Sequence, residues 1–141
     1  HSLVMSNDVI VIGELKGAEA MNFFDGVSTG HIGYATVHAE SANLVLDRLV
    51  TLMKKDISAQ QYSDVYLKEI LAQSVDLIVY MKNFKIYQVC EVSFSYKAGV
   101  NYEELFRFLP KKDKEGTIIG KFEKVKEAGG RVKEKMTIMG E

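Results

Sequence analysis

Three side chains able to do acid–base work stand close together in the sequence: Glu14, His31 and His38. Glu14 follows a run of β-branched apolar residues, Val9 to Ile12, and a turn residue, Gly13. Such a run reads as a strand buried on both faces. A carboxylate just past the carboxyl end of a buried strand stands where open α/β sheets bind their ligands. Gly30-His31 precedes a second run, Gly33 to His38, which also reads as a buried strand. One carboxylate and two imidazoles are thus expected at neighbouring strand ends. Taken singly they read as a solvated Glu and two packing histidines; it is the ordered string that points to a site.

Other chemistries fit less well. The single cysteine, Cys90, rules out a disulfide framework within one chain and a CxxC zinc pair, and fits a reducing compartment. His31 and His38 lack the i, i+4 spacing of a helical metal site, so no metal is expected on them. There is no G-x-S-x-G elbow. Gly116 to Phe122, GTIIGKF, imitates a phosphate loop, but its glycines are one residue too close and Phe122 has no hydroxyl for magnesium. It reads as strand or turn. A net charge of -1 and a pI of about 6.4 speak against a broad basic face for nucleic acid, although lysines crowd the chain after Lys111. No apolar run reaches the roughly 20 residues that span a bilayer. There is no signal sequence at the start, and residue 1 is His, which reads as a piece of a longer protein.

The elements that must position these groups follow from periodicity. With 141 residues, 47% hydrophobic and 26% charged, the chain has the composition of a soluble domain with a real core. Ala20, Phe23, Phe24 and Val27 make a helical apolar stripe that Gly30 ends. Ser41 caps a helix carrying Ala42, Val45, Leu49, Leu52 and Met53, closed by Lys54 and Lys55. A third helix is expected from Ser58, with Ser58 and Gln61 as a capping box. Asp76 to Lys82 reads as a strand, Asn83 as a turn, and Lys85 to Tyr96 as a returning strand. In it Cys90, Val92, Phe94 and Tyr96 face the core, and Glu91, Ser93 and Ser95 face water. Leu105 to Leu109 reads as a strand ended by Pro110, and Thr117 to Phe122 as its return. Beyond Glu123, Gly129-Gly130 is expected to loosen any helix. The tail reads as a small peripheral subdomain or an oligomer-facing arm.

With these pieces in place, the string resembles the type II/type IV secretion traffic ATPases. Ser2 to Asp8 followed by VIVIGE is similar to that family's Walker B segment and lead-in. Leu15 to Ala20 resembles the segment after it, Thr29 to Ser41 the His box, and Glu69 to Met81 the next helix and strand. The likeness covers residues 2 to 96 well and the tail loosely. The GELKGAE run looks more like the conjugation and tight-adherence pilus branch. Departures are Val4, Ser6 and Asn7 where two arginines and a proline are usual, Lys16 for Arg, and Glu40 for Asn. Lys16 keeps the charge but loses the bidentate fork.

The resemblance implies the C-terminal half of a RecA-like P-loop ATPase domain: α/β, a mostly parallel sheet with an antiparallel edge, and a small C-terminal extension. The core would be residues 1–97 and the extension 98–141. Glu14 would orient the attacking water. His31, shaped by Thr29 and Gly30, would sense the γ-phosphate. His38, Glu19 and Lys16 would support, Glu19 by touching the nucleotide or a neighbour or by lying on a helix surface. ATP and Mg2+ would bind the full-length protein and not tightly to this part, whose phosphate loop lies upstream. Implied partners are five further copies in a hexamer and inner-membrane proteins of a secretion or pilus machine, at the cytoplasmic face of the membrane, with no nucleic acid. The alternative is a non-catalytic oligomerisation or partner-binding module that kept the half-fold.

Overall fold

The computed structural model describes residues 9–139. The lead-in Ser2 to Asp8 lies outside them. The chain forms two compact units that divide between Ser74 and Val75. The strands from Leu77 to Ser95, expected in the core sheet with Val9 to Ile12, belong to the second unit with the tail.

The first unit holds β1 (Val9–Ile12), α1 (Glu19–Ser28), β2 (Ile32–Ala35), α2 (Val45–Met53) and α3 (Asp64–Ser74). The expected stripe buries Ala20, Phe23 and Phe24 of α1, with the two rings edge to face at 5.1 Å. Leu46 and Leu52 of α2 and Leu67 and Leu71 of α3 are wholly enclosed. Each contributes roughly 2 kcal/mol by leaving water. β1 and β2 pair in parallel, Val9 opposite Ile32 and Ile12 opposite Ala35. Helix α1 comes close to this pair through two glycines: a Cβ on Gly26 would meet Ile10 Cδ1 at 2.6 Å, and one on Gly33 would overlap Val27.

Neither strand is buried on both faces. Ile10 and Ile12 are half-buried on the α1 side, while Val9, Val11, Ile32 and Tyr34 are exposed, Val11 at 71%. Each strand has one neighbour among the described residues, and the helix covers a single face. β2 also stops at Ala35, short of His38. Ser41 takes the N-cap position of a 3-10 turn, Ala42–Leu44, without a side-chain bond. The Ser58 capping box does not form. The Asp56 carboxylate accepts from both the amide (2.8 Å) and the hydroxyl (2.6 Å) of Ser58, so only a 3-10 turn starts there. α3 begins later, where Ser63 Oγ accepts from Tyr66 N–H at 3.1 Å.

The second unit is a four-stranded sheet, β3 (Leu77–Lys82), β4 (Lys85–Ser95), β5 (Gly99–Lys112) and β6 (Ile118–Lys124), in sequence order and wholly antiparallel, followed by α4 (Gly130–Met139). Parallel pairing among the described residues is thus confined to β1 and β2, which corrects the expected mostly parallel sheet. The links between β3, β4, β5 and β6 are tight turns, whereas a parallel crossover needs about a dozen residues or more. Asn83 (φ 51) and Phe84 (φ 60) make the β3–β4 link, as two-residue hairpins with positive φ require. Phenylalanine in the left-handed region costs about 1–2 kcal/mol.

Four further expectations change here. Pro110 does not end its strand: β5 pairs with β6 through Lys112, and beyond Arg107 it has no β4 neighbour to need an N–H. Tyr96 is not core, because β4 ends at Ser95 and the chain turns outward. Glu91, expected to be wet, is only 9% exposed because the tail crosses it. Gly129 N–H donates to both its carboxylate oxygens, at 3.0 and 2.9 Å. The glycine pair starts α4 instead of breaking it. Arg131 then pairs with Asp76 at 2.8 Å and donates to the carbonyl of Val75 at 2.7 Å.

Cys90 is core, as expected, at 1% exposure. Burial, then the Glu104 carboxylate, pushes its thiol up from 9.0 to about 11. The folded state therefore disfavours the thiolate. The associated stability is complete below pH 9.0 and is lost as pH rises towards about 11. Two pH units correspond to about 100-fold less thiolate. Iodoacetamide at pH 8 is expected to alkylate native protein at least about 100-fold more slowly than denatured protein. Equal rates, read by mass spectrometry, would contradict the burial.

Candidate active site

The site is built where β1 and β2 run out. Leu15, buried, donates its N–H to the carbonyl of Thr36 at 2.8 Å. The Thr36 hydroxyl donates back to the carbonyl of Gly13. These two bonds stitch the segment after β1 to the segment after β2. Glu14 and His38 are thereby side by side, with His38 Nε2 2.8 Å from Glu14 Oε1. Lys16 Nζ lies 3.2 Å from Oε2. The Glu14 side chain is 27% exposed, against 89% for His38. A sheltered carboxylate thus has both oxygens engaged by groups that reach in from solvent. Exposed pairs of this kind add little stability; what this one does is fix the carboxylate's direction.

Glu19 is placed elsewhere. Its Oε1 accepts the N–H groups of Lys16 (2.7 Å) and Gly17 (3.0 Å), and Lys55 Nζ donates to the Lys16 carbonyl at 3.0 Å. These backbone donors hold its carboxyl below the usual range. Glu19 shapes the loop from which Lys16 projects and does not touch Glu14.

His31 is also apart from Glu14. β1 and β2 are parallel, so His31, just before Ile32, lies beside the amino end of β1, while Glu14 follows its carboxyl end. Four strand residues separate the two levels, about 13 Å. Of the carboxylate and two imidazoles expected at neighbouring strand ends, Glu14 and His38 meet, while His31 stands at the other end of the strand pair. Thr29 and Gly30 belong to the His31 end. The Thr29 hydroxyl donates to the Gly26 carbonyl at 2.8 Å, and Gly30 turns the chain with φ 106. His31 Nδ1 is shut from solvent with no hydrogen-bond partner. The Thr36 stitch was missed in the sequence, since a threonine at a strand end carries no signal of its distant acceptor. Among the described residues no group of three or more His, Cys, Asp or Glu side chains converges to hold a metal ion. The GTIIGKF run forms a turn and β6, not a phosphate loop.

The chain belongs to the Type II/IV secretion system protein family, whose model matches residues 1–113. Among its relatives is the type IV pilus ATPase PilU of Pseudomonas aeruginosa, 36% identical over 78 residues, covering 53% of this chain and 20% of that protein. Another is the type IV secretion system protein PtlH of Bordetella pertussis, 30% identical over 79 residues, covering 55% of this chain and 23% of that one. Among solved structures it resembles the VirB11 ATPase of the Brucella suis type IV secretion system in complex with sulphate. There the TM-score is 0.49 and the identity 21%, over 69% of this chain and 27% of that one. The aligned part thus makes up about a fifth to a quarter of these curated relatives.

Proposed function

We propose that this chain is the part of an ATP-hydrolysing secretion or pilus motor that carries the water-orienting carboxylate. The observation that carries the reading is the Glu14–His38 pair, 2.8 Å apart at the carboxyl end of a parallel strand pair. The donor set fits one side of a nucleotide site: it offers a directed carboxylate and two cationic or N–H groups, but no cradle of backbone amides. The RecA-like sheet and the phosphate loop would be completed by residues outside this chain. Bound magnesium ATP would supply the phosphoryl group for transfer to water. Glu14 Oε2 accepts a hydrogen of the attacking water and aims its lone pair, once the long Lys16 side chain swings off that oxygen. His38 Nε2 holds Oε1 so that the carboxylate does not rotate away. Lys16, released, offers positive charge near the developing negative charge. In this reading His38, not His31, works with Glu14.

The same reading places six copies in a ring, beside inner-membrane proteins of the secretion or pilus machine and at the cytoplasmic face of that membrane. Among the described residues no helix is long and apolar enough to cross a bilayer. The test is direct. The purified 141-residue chain is expected to show no steady-state ATP turnover and no tight ATP binding. Turnover by the chain alone, abolished by Glu14→Gln, would overturn the division of the site between this chain and residues outside it.

A further inference from the structure

At one end of the four-stranded sheet, the β3–β4 hairpin and the β5–β6 tip enclose an open groove of about 490 Å³. It is lined by Phe84, Lys85, Ile86, Phe108, Ile118 and Phe122, with Gly120 in its floor. The wall is aromatic: the Phe108 ring lies 5.4 Å from that of Phe122. Gly120 keeps the floor bare, since a Cβ there would meet the Phe108 ring at 2.7 Å. Phe84, on the left-handed hairpin, is fully exposed at 102%. A bulky apolar residue held in that conformation, outside any core, marks a contact surface.

The rim is positive. Lys85 lines the groove, Lys82 is its cross-strand partner, and Lys112 stands opposite Ile118 on the same face. None of the three has an ion-pair partner among the described residues. The nearby Asp113 carboxylate is turned towards its own loop, its Oδ1 accepting from the amides of Glu115 and Thr117 at 2.9 and 2.8 Å. β6 is the outer strand of the sheet and pairs only with β5 among the described residues. An extended segment can therefore add to its edge, with alternate side chains entering the groove.

We propose that this groove docks an extended acidic segment of a partner protein, an apolar residue filling the groove and carboxylates meeting Lys82, Lys85 and Lys112. A second copy of this chain is disfavoured, because it would bring lysine against lysine. An anionic bilayer would meet the lysines and Phe84 but would leave a concave slot beside β6 unfilled.

The test uses the whole chain and a fluorescein-labelled peptide alternating glutamate with phenylalanine and leucine, read by anisotropy. A control peptide carries lysine for every glutamate, and vesicles of phosphatidylglycerol and phosphatidylcholine form a separate arm. The acidic peptide is expected to bind saturably, more weakly as salt rises, and the basic peptide not at all. The double change Lys85→Glu with Lys112→Glu is expected to weaken binding about tenfold or more. Phe84→Gly, which suits the positive φ, is expected to weaken it several-fold with the thermal midpoint kept. Absent or salt-independent binding, equal binding of both peptides, indifference to both variants, or vesicle binding without peptide binding would each overturn the proposal.

Discussion

In a protein that joins this chain to its phosphate cradle, Glu14→Gln is expected to lower ATP turnover roughly 100- to 10,000-fold. ATP binding is expected to stay unchanged. Glutamine keeps the shape and an oxygen that can still accept from His38, so the loop geometry survives. On the proposed role, what it loses is the carboxylate oxygen that would draw a hydrogen from water, an interaction that strengthens only as the reaction proceeds. His38→Ala removes the 2.8 Å brace and leaves the carboxylate itself, so its effect is smaller, roughly 10- to 100-fold and in kcat rather than KM. His31→Ala is the discriminating control. Because His31 lies at the opposite end of the parallel pair, it is expected to leave the chemical step unaltered. A coupled assay on the three variants decides the matter. If His31→Ala falls as far as Glu14→Gln while His38→Ala keeps turnover, the assignment of His38 to Glu14 is lost.

That assignment also marks how far the residues could be read unaided. The apolar run Val9 to Ile12, the stripe of α1 and the placing of Glu14 just past β1 were legible, because each is a local pattern with one physical meaning. The partner of Glu14 was not. Both histidines flank the same strand, one on each side, and only the parallel register with β1 tells which end faces the carboxylate. The family resemblance likewise supplied a sensor role for His31 without fixing its distance from Glu14. Sheet composition failed for a related reason. Alternation in β4 predicted Cys90 and Val92 inward, and so they are. It also placed Glu91 in water, and no pattern within β4 announces that Gly129 will cross that carboxylate from 38 residues away. Local signals bounded the elements. Contacts distant in sequence decided which faces were covered, and the exposed face of Val9, Val11, Ile32 and Tyr34 is the clearest instance of a cover that local pattern assumed.

The largest expected loss of stability comes from Gly33→Val, at about 3 kcal/mol or more. Gly33 is where α1 lies against β2. A Cβ there would overlap Val27 Cγ2 and stand 2.8 and 3.1 Å from Phe23 Cζ and Cε2. Phe23 cannot give way cheaply, since it is buried and its ring meets Phe24 edge to face at 5.1 Å. Riding outward would cost α1 the close packing that Gly26 gives it against Ile10 on the neighbouring strand. The remaining response is for β2 to move, and β2 leads into Thr36. A shift there breaks the Thr36 bonds to Gly13 and Leu15 and with them the alignment of Glu14 and His38. Of a total stability of about 5–15 kcal/mol, such a loss is a large share. Urea unfolding followed by circular dichroism should show a midpoint well below that of the unaltered chain. Gly13→Ala is the matched control on the same pair of segments. Nothing lies within 4 Å of its Cβ, so it should stay within about 0.5 kcal/mol. If Gly33→Val unfolds at the midpoint of the unaltered chain, α1 does not sit on β2 as described. The geometry that brings His38 to Glu14 would then need another cause.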